Sequence, residues 1–89
     1  MSEGGLKMND REIENIAKDI MTDICETDEI LADCEMNLFE EGYIDSFAMI
    51  RVILEIEEKT GIILEPSDIS KKEISSVNNL IKYLKGKLE

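Results

Sequence analysis

The chain has 89 residues, with 21 acidic against 10 basic side chains and a net charge of −11. That length allows one small domain, and that charge opposes direct binding to nucleic acid or an anionic membrane while favouring basic protein partners or simple solubility. Histidine is absent, which removes the commonest general base and the commonest transition-metal ligand together.

Residues 1–8 read as a flexible N-terminal tail, with Gly4-Gly5 and no apolar core of a signal peptide. No apolar run approaches membrane-spanning length, so a cytoplasmic protein without membrane insertion is expected. Asn9 and Glu12 form a capping box. Ile13, Ile16, Ala17, Ile20 and Ile24 then recur at helical spacing, predicting a first helix over roughly 10–26. From Thr27 to Asp45 the periodicity fades into a long polar loop, for which Leu38 and Ile44 are the expected anchors. Its acids lack the order and central glycine of a calcium loop, so no metal site is expected. Cys25 and Cys34 read as reduced thiols.

The second helix is expected from Ser46 to Lys59, stopped by Thr60-Gly61. Val52, Ile53 and Ile56 supply a core face, leaving Phe47, Met49, Ile50 and Leu54 to compete for the rest. Ile62, Ile63 and Leu64 read as a buried connector. Pro66 suits the first turn of a short helix across Ser67 to Lys71. Ser75 or Ser76 caps a last helix carrying Val77, Leu80, Ile81 and Leu84, with Lys82, Lys85 and Lys87 complementing its dipole. The fold class expected is all-α: a four-helix bundle, with a long loop between the first two helices and a short third helix, forming a single domain over 9–88.

The stretch Gly42-Tyr43-Ile44-Asp45-Ser46-Phe47 carries the functional signal. Asp45 and Ser46 are both N-cap types at the head of the most apolar helix. A hydroxyl there lies where free amides and the helix dipole favour an anion, and Gly42 relaxes the approaching backbone. A nucleophilic serine needs a base and a group to orient it. Neither is visible, and the glycine-flanked elbow of hydrolases is missing as well. The chain is therefore not expected to be an enzyme. Ser46 is suited to being modified by another protein, or to capping alone.

Leu38-Phe39-Glu40-Glu41-Gly42-Tyr43-Ile44-Asp45-Ser46-Phe47 resembles the attachment motif of acyl carrier proteins and peptidyl carrier domains, and the likeness extends from about Ile13 to Leu84. It implies an acyl-carrier-like bundle with 4′-phosphopantetheine, transferred from coenzyme A by a phosphopantetheinyl transferase, on Ser46. Gly42, Asp45 and Phe47 complete the motif. It further implies thioester-bound acyl cargo for enzymes of fatty acid biosynthesis or related pathways. Phe47, Met49, Ile50, Glu55, Glu57 and Glu58 would face basic patches on ligases, acyltransferases or condensing enzymes. The carrier is expected to be a monomer. Two departures stand out. Phe47 replaces the usual leucine, in a pattern similar to D-alanyl carrier proteins, and Arg51 stands where fatty-acid carriers commonly have an acid. A D-alanyl, other aminoacyl or peptidyl carrier is thus the alternative. From a different class, a small acidic interaction module without a prosthetic group remains open.

Overall fold

A computed structural model describes residues 9–88; the flexible tail expected over 1–8 lies outside them. Helix α1 spans Asp10–Cys25. Its capping box is formed in both directions, with the Glu12 amide donating to Asn9 Oδ1 at 2.8 Å and the Asn9 amide to Glu12 Oε1 at 3.1 Å. Ile13, Ala17, Ile20, Met21 and Ile24 face the core, while Ile16 is only half-buried.

The long loop is tied down along its length. A 3-10 turn at Glu29–Ala32 buries Ile30, and Leu38 and Ile44 are buried as expected. The Leu38 amide donates to the Ser75 carbonyl at 2.6 Å, and the Asn78 amide donates to Cys34 at 3.0 Å. The second of these supplies a partner to an amide in the first turn of the last helix, which has none within its own helix. The loop is therefore part of how that helix begins. Cys25 and Cys34 are free thiols, and burial pushes the Cys25 thiol above its ordinary pKa.

Helix α2 spans Ser46–Thr60 and buries Ala48, Val52, Ile53 and Ile56. It ends at Gly61, whose φ of 80° is left-handed and whose amide donates to Glu57 at 2.8 Å. Helix α3 spans Val77–Leu88. Ser76 is its cap, accepting the Asn79 amide at 3.1 Å, whereas the Ser75 hydroxyl donates back to Lys72. Lys85 near its end joins α3 to α1, 3.8 Å from Asp10 and 3.4 Å from Glu14.

The expected bundle of four helices is corrected to three α-helices among the described residues. In place of the short helix over 67–71 stand two 3-10 turns, Pro66–Asp68 and Lys71–Ile74. Each closes on its own acid: the Glu65 amide donates to Asp68 at 2.8 Å and the Ser70 amide to Glu73 at 2.7 Å. Between them Ile69 is extended and buried, which prevents the turns from merging. The connector before them also differs from expectation. Leu64 is buried, but Ile63 is 76% exposed, because an extended chain sends neighbouring side chains to opposite sides.

Candidate functional site

The site is the junction of the loop with α2. Gly42 has φ +84°, and a Cβ there would meet nothing within 4 Å. Glycine is therefore required by the left-handed backbone and not by space. Around it the Gly42 amide donates to Phe39 at 3.2 Å and the Tyr43 amide to Leu38 at 2.9 Å. These bonds reverse the chain, and buried Ile44 anchors it immediately before the helix.

Of the two cap candidates, Asp45 takes the role. Its backbone is extended, and its Oδ1 accepts the Phe47 amide at 3.0 Å. Ser46 is the first helical residue and is exposed. Among the described residues its hydroxyl makes no hydrogen bond, so the reading of Ser46 as the cap is corrected. A cleft of about 300 Å³ opens beside it, lined by Ile24, Gly42, Tyr43, Asp45, Phe47 and Arg51.

Below the junction, α2 presents an apolar stripe. Phe47 is 77%, Ile50 54% and Leu54 57% exposed, at the i, i+3, i+7 spacing of one helix face. Glu57 and Glu58 are exposed along the same helix. Met49, expected on this surface, is half-buried against the core. Leu54 was absent from the expected docking set, although its spacing from Phe47 and Ile50 carries the signal.

Glu55 does not join the exposed acids. Its side chain is only 14% exposed and lies 3.7 Å from Lys59. Burial, and then hydrogen bonding and charge repulsion from Asp23 on α1, raise its pKa to about 7, against the opposing pull of Lys59. It is thus a carboxyl of the α1–α2 contact. Asp23 could not be singled out from spacing, because the pairing depends on how two helices pack.

An exposed, unbonded hydroxyl at the start of a helix, in an all-helical domain, is open to modification by another protein. The family described as "Phosphopantetheine attachment site" matches residues 11–84, and the chain belongs to that family: it is a phosphopantetheine carrier protein and not an enzyme. It is similar to D-alanyl carrier proteins of Bacillus cereus and Bacillus anthracis, each 36% identical over 66 residues, covering 74% of this chain and 84% of the relative.

The covalent group of this carrier is 4′-phosphopantetheine. The junction fits it: a hydroxyl not engaged in capping, solvent on its outer side and an open cleft at its flank. Helix-start amides favour its phosphodiester charge. When bound, the group supplies a thiol that holds cargo as a thioester.

Proposed function

We propose that Ser46 is the attachment point and that residues 9–88 act as a single, monomeric, cytoplasmic carrier domain for a small aminoacyl group, D-alanyl foremost. The attachment reading rests on the division of tasks at the junction, where Asp45 caps and Ser46 keeps its hydroxyl exposed. The cargo reading rests on the 36% identity to D-alanyl carrier proteins. That similarity favours an aminoacyl cargo over the fatty-acyl one that the attachment motif alone suggests.

A phosphopantetheinyl transferase and an adenylating ligase are the partners this role requires. The stripe of Phe47, Ile50 and Leu54 offers them apolar contact, flanked by Glu57 and Glu58 for basic patches. Phe47 stands next to Ser46, so a partner seated on the stripe would reach the arm at its root. Helix α2 is the structural basis of both tasks.

The test is to load the phosphopantetheinylated protein with ATP, D-alanine and a D-alanine-activating ligase, alongside a fatty-acyl ligase with a fatty acid. The expected result is a mass increase of one alanyl group, lost on hydroxylamine treatment, and negligible fatty-acyl loading. Preferential fatty-acyl loading would overturn the cargo assignment and leave the carrier role intact.

A further inference from the structure

We propose that Arg51 is the resident counter-ion of the phosphodiester that roots the 4′-phosphopantetheine arm, holding that root against the cleft beside Ser46. This rests on the attachment reading above. Arg51 lines the cleft together with Asp45 and Phe47, the two residues that flank Ser46 in the chain.

Among the described residues Arg51, Arg11, Lys18, Lys72 and Lys82 have neither an ion pair nor a ring contact, and of these five only Arg51 lines the cleft next to Asp45. Lys59 and Lys85 are held in ion pairs, and Lys71 and Lys87 lie over the rings of Phe39 and Tyr83. Among the described residues, Arg51 has no carboxylate within the 4.0 Å of an ion pair, although the chain has 21 acids. Asp45 shares its cleft but is directed to the Phe47 amide. Glu55, one turn further along α2, is engaged by Lys59 at 3.7 Å.

Reach and chemistry favour the phosphodiester as partner. Arg51 lies five positions after Ser46, roughly 7.5 Å of rise and about 140° around the axis, and its long side chain tilts back toward the N-terminus on the side of Phe47, which lines the same cleft. A guanidinium meets phosphate oxygens with paired hydrogen bonds and keeps its charge at any physiological pH. Modification of Ser46 would add an anion beside Asp45, in a chain already at −11. Arg51 offsets that repulsion where it arises.

The experiment compares apo and phosphopantetheinylated forms of the wild type, Arg51→Gln and Arg51→Lys, each verified by intact mass. Two readouts are taken: the Arg51 side-chain Nε–H signal by NMR, and the change in Tm on modification at low and high salt. The expected result is a shifted Nε–H signal in the modified wild type. At low salt, modification should lower the Tm of Arg51→Gln by roughly 2–6 °C relative to its effect on the wild type. Arg51→Lys should fall between, and high salt should abolish the difference. An unmoved Arg51 signal, or an equal Tm change in wild type and Arg51→Gln at low salt, overturns the proposal. Failure of the wild type to gain the phosphopantetheinyl mass would instead overturn the attachment assignment beneath it.

Discussion

At the head of α2 two adjacent polar residues have separate duties. Asp45 stabilises the helix by accepting the Phe47 amide, so the Ser46 hydroxyl is not needed for folding. Ser46→Ala should change unfolding free energy by less than about 0.5 kcal/mol, whereas Asp45→Ala should cost about 0.5–2 kcal/mol. Urea unfolding of the two variants checks this, and the reverse ranking would contradict the cap assignment. Glu55 gives a pH-dependent counterpart on the same helix. Its folded pKa of about 7 lies above the ordinary 4.5, so the folded state binds the proton more tightly. The resulting stabilisation is complete below pH 4.5 and is lost as pH rises toward 7. Between pH 5 and pH 8 the wild type should therefore lose on the order of 1–3 kcal/mol more than Glu55→Gln does. Parallel pH profiles for the two proteins would show that Glu55 titrates like a surface acid.

Helix α2 has one face in the core and another that is exposed and that we propose for partners. Phe47→Ser or Leu54→Ser should leave stability within about 0.5 kcal/mol of wild type yet slow phosphopantetheine transfer, because those side chains are exposed in the free protein. Ile56→Ala, fully buried on the opposite face, should cost about 2–5 kcal/mol. Charge reversal at Glu57 and Glu58 should slow transfer mainly through association, with salt masking the loss. Equal transfer rates for Leu54→Ser and wild type would remove the stripe from the docking surface. The three long helices were legible in the sequence because their apolar residues repeat at 3.6-residue spacing and their caps are local. The turns around Ile69 were not, since whether two adjacent capping boxes merge into one helix depends on where Ile69 is buried. The choice between Asp45 and Ser46 as cap was equally hidden, because both side chains satisfy the same chemical preference. Glu55 lies on the flank of α2, where only the packing of α1 separates a docking acid from a half-buried one.

For the whole molecule, charge is the dominant global property. At −11 the compact state repels itself, with exposed acids concentrated in the loop after α1 and at the end of α2. Screening acts over about 8–10 Å near physiological ionic strength, so Tm at neutral pH should rise from low to moderate salt. Calcium or magnesium should raise it further. Among the described residues no cluster of three or more potential ligands is placed to hold a metal, so that rise should be gradual, without saturation at one equivalent. A Tm insensitive to salt would mean that the acids are too dispersed to strain the fold. The same charge is available to steer basic partners toward α2, linking the composition of the chain to its role as a carrier.

Attachment of the arm to Ser46 is tested directly by one mass measurement. Wild type and Ser46→Ala are incubated with coenzyme A and a phosphopantetheinyl transferase, then analysed by intact mass and by mapping of the modified peptide. The expected result is one phosphopantetheinyl group on the wild type, located at Ser46, and none on Ser46→Ala. A group found on any other residue, or retained by Ser46→Ala, would contradict it.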